Sequence, residues 1–192
     1  MKSVLISIQP KWCELIANGS KTVEVRKTKP KLETPFKAYI YCTANKNGTK
    51  DLLEIHGTDG KIRKANGKVI GEFVCDGFYG MCQFGFGIAI YDEQKNIIEP
   101  QDFLNWSCLT EQQVIDYIGN KDGYAWHISN LVIYDKPREL SEFRKECKLE
   151  CDMRSLNEPP CEKCEHLVAS FGCGRTITRP PQSWCYVEER EG

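Results

Sequence analysis

Three charged side chains fall within six residues near the start of the chain. The segment Lys21-Thr22-Val23-Glu24-Val25-Arg26 alternates polar and apolar residues, the pattern of a half-buried strand. Glu24 and Arg26 share one face, and Val23 and Val25 take the other. A cation fixed beside a carboxylate can grip a charged ligand or steer a proton. Lys21 has the parity of the two valines, but it adjoins the Asn18-Gly19 turn, where alternation need not hold. A further carboxylate, Glu72, lies in the apolar run Val69–Cys75, flanked by Ile70 and Val74 on its own face. A charge placed there must be paired or neutralised. Two readings stay open for Glu72: an ion pair with a Lys or Arg, or an acid–base group in a cleft.

The second chemical cluster is cysteine. Of eleven cysteines, six crowd between Cys147 and Cys185. Cys161-x-x-Cys164 brings two thiolates to one point, and Cys173 and Cys185 can complete a tetrahedral zinc site. Cys147, Cys151 or His166 could replace one of these ligands. Gly172 and Gly174 allow tight turns around Cys173, and the stretch has little apolar core of its own, so zinc would supply folding energy. A redox pair or free thiols are the other readings. The five earlier cysteines read as small buried hydrophobes.

Composition narrows the class. At 192 residues and 41% hydrophobic content the chain can bury a core, and ordinary Gly, Pro and charge levels exclude collagen, coiled coil and disorder. No apolar run approaches the ~20 residues of a membrane helix. Ser3–Ile8 is too short for the apolar region of a signal peptide, so a cytoplasmic location with reduced thiols is expected. The net charge of −1 conceals a division. Residues 1–68 carry 14 Lys and Arg against 6 Asp and Glu, and residues 69–192 carry 12 against 21. A basic segment inside a neutral protein suits a polyanionic partner, although a solvated lysine face has the same composition.

These groups need a scaffold. Ser3–Ile8, Lys21–Lys27, Phe36–Cys42, Lys68–Cys75, Phe84–Tyr91 and a long Tyr124–Tyr134 read as strands. Pro10 opens a helix that stops at Asn18-Gly19, with Trp12, Leu15 and Ile16 on its inner face. Thr110 and Gln113 form a capping box, Leu109 is a staple candidate, and Ser141 is positioned to cap a last helix. Asn45–Lys68 reads as a long loop or hairpin. The sum is an α+β domain, a small β-barrel with two or three inserted helices over residues 1–140, followed by a cysteine-rich extension over residues 141–192 that packs on it.

The pattern G-x-K-x-x-E-x-R, present as Gly19-Ser20-Lys21-Thr22-Val23-Glu24-Val25-Arg26, resembles the signature of the ASCH domain in the PUA-like superfamily. Ile8-Gln9-Pro10-Lys11-Trp12 and Tyr124-Ala125-Trp126-His127-Ile128 also resemble that family, whose members include many prokaryotic and phage chains. The resemblance covers roughly residues 3–140 and implies a PUA-like barrel whose cleft serves RNA, single-stranded nucleic acid or a modified nucleotide. Lys11, Trp12, Lys21, Glu24, Arg26, Tyr41, Trp126 and His127 are the candidate ligand-binding residues. Lys27, Lys29, Lys31 and Lys37 are further phosphate contacts, and Tyr39 is a further stacking surface. Small bacterial members that resemble this chain hydrolyse acetylcytidine with a Lys, a Thr nucleophile and a strand Glu. That likeness implies Lys21, Glu24 and Glu72 as catalytic residues of an amidohydrolase or nuclease, although Glu24 stands where the Thr would be. A zinc-stabilised protein-interaction module is the remaining alternative.

Overall fold

The run Ser3–Ile8 is buried on both faces, which is possible only for a strand flanked on both sides and covered above and below. In the computed structural model, which describes residues 2–44, 53–85, 87–145, 167–168, 172–173 and 176–189, this run lies in β1 (Lys2–Ile8). β1 pairs in parallel with β3 (Phe36–Cys42). Parallel neighbours need a crossover, and here it consists of α1 (Pro10–Ala17) and β2 (Val23–Arg26). After β3 come β4 (Glu54–His56), β5 (Ile62–Lys64), β6 (Val69–Cys75), β7 (Phe78–Phe84), β8 (Gly87–Tyr91) and β9 (Ile97–Ile98). Two helices follow, α2 (Pro100–Ser107) and α3 (Glu111–Ile118), then β10 (Gly123–His127) and β11 (Ser129–Arg138). Beyond a single 3-10 turn at Leu140–Glu142 lie β12 (Leu167–Val168), β13 (Gly172–Cys173) and β14 (Trp184–Glu188).

The long strands form two five-stranded sheets, ordered β11-β6-β3-β1-β14 and β2-β10-β7-β8-β9. Between them lies the main core. Ile6, Ile40 and Phe73 of the first sheet face Phe78 and Trp126 of the second, and α1 adds Cys13 and Ile16. Trp126 meets Phe36 and Phe78 edge-on at ring separations of 5.9 Å. The outer side of the second sheet packs Val23, Val25 and Met81 against Phe103 of α2 and Val114 and Ile118 of α3. The outer side of the first packs Leu5, Tyr39, Val69 and Val187 against Leu140, Phe143 and Ile177.

Several expectations are corrected by this architecture. The β-barrel does not close. The sheets join at one corner, where His127 N–H donates to Gly77 O and Ile128 N–H to Thr22 O. At the opposite seam no ladder links β2 to β1, and a side chain spans the gap, with Arg26 Nη2 donating to Ser7 O at 2.6 Å. The expected strand Tyr124–Tyr134 is two strands, because the chain changes sheets at Ile128. The expected strand Phe84–Tyr91 is the second arm of a hairpin that turns at Gly85, where φ is +59°. Ser141 caps no helix. Leu140 and Phe143 must both reach the outer core, so the turn stops at once and Phe143 becomes extended, with φ −99° and ψ 145°. Helix α2, absent from the sequence reading, starts on Pro100 and buries Phe103 and Ser107.

The helices at Pro10 and Thr110 stand as read, the latter with both hydrogen bonds of its capping box. Residues 54–64 of the polar stretch form the β4–β5 hairpin. Its Thr58 hydroxyl donates to Asp135 of β11. Asp59 is paired with Arg63, which holds its carboxyl down at about 2. From the C-terminal segment, β14 adds an antiparallel edge strand against β1. Among the described residues no helix is long and apolar enough to cross a membrane.

Phe143 is fully buried, its ring 5.0 Å from that of Tyr39. Phe143→Ala is expected to lower unfolding free energy by about 3–5 kcal/mol, as urea denaturation would measure. A loss below about 1 kcal/mol would mean that the outer core is not assembled as described.

Candidate functional site

Helix α1 ends at Asn18, and Gly19, at φ +78°, reverses the chain. The return is pinned by Lys21 N–H to Leu15 O at 2.9 Å and Thr22 N–H to Trp106 O at 2.9 Å. Lys21 therefore precedes β2, and strand parity does not govern its side chain. Its ammonium turns inward, donates to Ser107 O at 2.6 Å, and lies 3.5 Å from Glu24 Oε2. Ser107 is the last residue of α2, where the helix dipole favours a cation. The other Glu24 oxygen receives Arg26 Nη2 at 3.0 Å. The three residues are 2%, 6% and 7% exposed.

Two cations and one carboxylate leave a net charge of +1 in a nearly dry place. Removing such groups from water is costly unless each finds partners. Glu24 has a cation on each oxygen, and Lys21 and Arg26 each hold a backbone carbonyl. Arg26 Nε is still buried without an acceptor among the described residues.

The trio forms one wall of a cavity of about 540 Å³ at the open seam between the sheets. Trp12 of α1 lies over the Lys21 ammonium, 5.2 Å from ring centre to Nζ. Tyr117 and Gln113 come from α3, Gln9 precedes α1, Thr43 follows β3, and Gln182 precedes β14. Thus of the sequence candidates, Trp12, Lys21, Glu24 and Arg26 meet in the cavity. Nothing local in the sequence marks Gln9, Thr43, Gln113, Tyr117 or Gln182 as a binding group. Gln9 and Gln182 each adjoin a proline, and Gln113 was visible only as a capping residue.

The remaining candidates lie elsewhere. Lys11 is exposed, with its ammonium 4.6 Å from the Trp12 ring. Tyr39 and Tyr41 belong to the outer core, and Trp126 is fully buried in the main core. His127 Nδ1 is 2.6 Å from Asp76 Oδ1. Burial alone would raise the Asp76 carboxyl, but hydrogen bonding and charge from His127 hold it below its ordinary value.

Glu72 is opposite Tyr39 in the β3–β6 ladder, on the outer-core side of the first sheet. It pairs with Lys37 Nζ at 3.1 Å and accepts from the Tyr134 hydroxyl at 2.5 Å. Burial and this carboxylate push the Tyr134 phenol well above its ordinary range. Burial would lower the Lys37 ammonium, yet Glu72 keeps it raised. Glu72 is absent from the cavity wall, so Lys21, Glu24 and Glu72 do not converge.

Cys161 and Cys164 lie outside the described residues, as do Cys147, Cys151 and His166. Cys173 is described in its backbone only, opposite Leu167. Cys185 sits opposite Leu5 in the β1–β14 pair, and burial pushes its thiol up. Among the described residues no group of three His, Cys, Asp or Glu side chains could hold a metal.

No protein-family model matches the chain, and no curated protein does. Solved structures do. The crystal structure of ASCH from Zymomonas mobilis is 18% identical, with a TM-score of 0.50 over 97% of this chain and 88% of that one. A point mutant of the same protein is 16% identical, with a TM-score of 0.50 over 97% of this chain and 89% of its own. At such identities the likeness is one of fold. This chain has the fold of the ASCH domain.

Proposed function

We propose that the cavity at the seam binds a nucleotide, either free and modified or as part of RNA or another single strand. The observation that supports this most directly is the buried Lys21–Glu24–Arg26 trio with its surplus positive charge, in a cavity also lined by Trp12, Tyr117 and three glutamines. A nucleotide combines the three properties such a wall would recognise. Its base offers a flat face for aromatic rings and donor and acceptor edges for side-chain amides. Its phosphate offers a negative charge for Lys and Arg.

Binding is favoured over hydrolysis by the partners of the charged groups. Each Glu24 oxygen already holds a cation, which fixes the carboxylate as the common partner of Lys21 and Arg26. The Lys21 ammonium is engaged by Ser107 O and Glu24, and Glu72 is committed to Lys37 and Tyr134. Glu72→Gln is therefore expected to leave nucleotide binding unchanged.

We also propose that Cys161, Cys164, Cys173 and Cys185 hold a structural zinc ion in a cytoplasmic setting that keeps thiols reduced. Two features support it: the spacing of the four cysteines, and the position of Cys185 on a strand already tied into the first sheet. The zinc would then fasten the preceding segment to the body.

Both readings are testable on the full chain. Titration with nucleoside monophosphates and short single-stranded RNA, followed by tryptophan fluorescence, should give salt-sensitive binding. Lys21→Ala with Arg26→Ala should weaken it by roughly 10- to 100-fold, the worth of one or two charged hydrogen bonds. Gln9→Ala, at an exposed position, should weaken binding less and leave the melting curve unchanged, which separates loss of the site from loss of the fold. Unaltered affinity in the double variant would refute the cavity assignment. For the zinc site, elemental analysis should find one zinc per chain, lost in Cys161→Ser with Cys164→Ser. A metal-free wild-type chain that is folded would rule the site out.

A further inference from the structure

Beyond the cavity, the loop after β2 reads Lys27-Thr28-Lys29-Pro30-Lys31, and all three lysines are exposed. None is paired with a carboxylate among the described residues. The Cα atoms of alternate residues lie at most about 7 Å apart, so the three lysines make a short row along one loop. The row starts at the cavity, since Lys27 Nζ is 5.3 Å from the ring centre of Tyr117. Lys29 Nζ continues it, 4.8 Å from the ring of Phe78 and 5.5 Å from that of Tyr124.

A second row lies alongside. Trp184 and Tyr186 alternate along β14 and project to one side of it, and Gln182 lies two residues before the strand. Gln182 is in the cavity wall, held there by Ser7 Oγ donating to Pro181 O at 2.7 Å and Ser7 N–H to Ser183 O at 2.8 Å. Trp184 and Tyr186 pack on the edge of the main core, Trp184 with its ring 6.0 Å from that of Trp126, yet both stay half-exposed and meet edge-on at 5.4 Å. The rows are stitched together. Trp184 Nε1 donates to Thr28 Oγ1 at 3.1 Å, and the Tyr186 hydroxyl accepts from Lys31 N–H at 2.8 Å.

These bonds set half-exposed aromatic rings directly beside unpaired lysines and next to the cavity, an arrangement complementary to phosphates and bases in alternation. We infer that the 27–31 loop and the Trp184–Tyr186 ledge form a track that carries a single strand away from the cavity. Its backbone phosphates lie along Lys27, Lys29 and Lys31, and bases downstream of the cavity rest against Trp184 and Tyr186. The occupant is single-stranded nucleic acid, because a duplex keeps its base faces stacked and offers none to the ledge. The inference rests on the cavity reading and extends it: the preferred ligand is a strand of several nucleotides.

The test compares the four nucleoside monophosphates with di- and tetraribonucleotides of the same bases on the full chain. Each added stacked base is expected to tighten binding about tenfold. Lys27→Gln, Lys29→Gln and Lys31→Gln together should abolish this gain with length. They should also reduce the slope of log affinity against log salt by about 2 for tetranucleotides. Trp184→Leu keeps an apolar side chain but removes the flat face, and should lower tetranucleotide affinity alone. Monophosphate binding without any gain in length, or a gain that survives the triple variant, would overturn the track and leave the cavity standing. Failure of every nucleotide and strand to bind would overturn the cavity reading and the track with it.

Discussion

Everything at the seam depends on the Glu24 carboxylate lying between two cations. Alone, Lys21 and Arg26 would be like charges in a space with little water. With Glu24 between them, each has an opposite charge within 3.5 Å and can extend its remaining donors to main-chain carbonyls. Those carbonyls belong to Ser107 at the end of α2 and Ser7 in β1. One carboxylate thus ties together a helix terminus, the edge strand of one sheet and an inner strand of the other. Removal of one partner from such a set leaves a buried charge uncompensated, which costs far more than the pair contributes.

The trio sits there because of topology. β1 and β3 are parallel neighbours, so the chain between them must cross over. α1 covers one end of the core, and β2 leaves the first sheet altogether to become an edge of the second. A crossover strand lent to the other sheet has one ladder partner, β10, and an opposite edge that faces β1 without pairing to it. Side chains from β2 fill that gap. The failure of the sheets to close and the presence of a cavity there are a single structural fact.

Much of this was legible in the sequence where local chemistry is decisive. Pro10, the Asn18-Gly19 stop, the Thr110–Gln113 box and the apolar runs Ser3–Ile8, Phe36–Cys42 and Lys68–Cys75 each act within a few residues, and they lie where the pattern places them. The charged trio was legible as a motif, although alternation set Lys21 on the wrong face. The turn before β2, fixed by hydrogen bonds to Leu15 and Trp106, overrides that parity. The pattern could not reveal partners distant in the chain. Glu72 looks like a cleft acid beside Ile70 and Val74, but it sits on the far side of its sheet because Phe73 and Cys75 take the inner face. Gln113 and Gln182, from α3 and the C-terminal segment, reach the cavity only through tertiary packing.

The charge division acquires a location in the fold. A basic N-terminal third would be unremarkable if its lysines were scattered over the surface. Several are not free to act as a field at all: Lys37 is held by Glu72 and Glu189, and Lys68 by Glu139. Acidic residues from the later part of the chain therefore neutralise lysines on the flank away from the seam. Lys27, Lys29 and Lys31 have no such partner among the described residues, and they follow directly on the Lys21–Glu24–Arg26 trio with its single surplus positive charge. Electrostatic attraction acts through local potential rather than through the total, so a net charge of −1 does not describe the surface beside the seam.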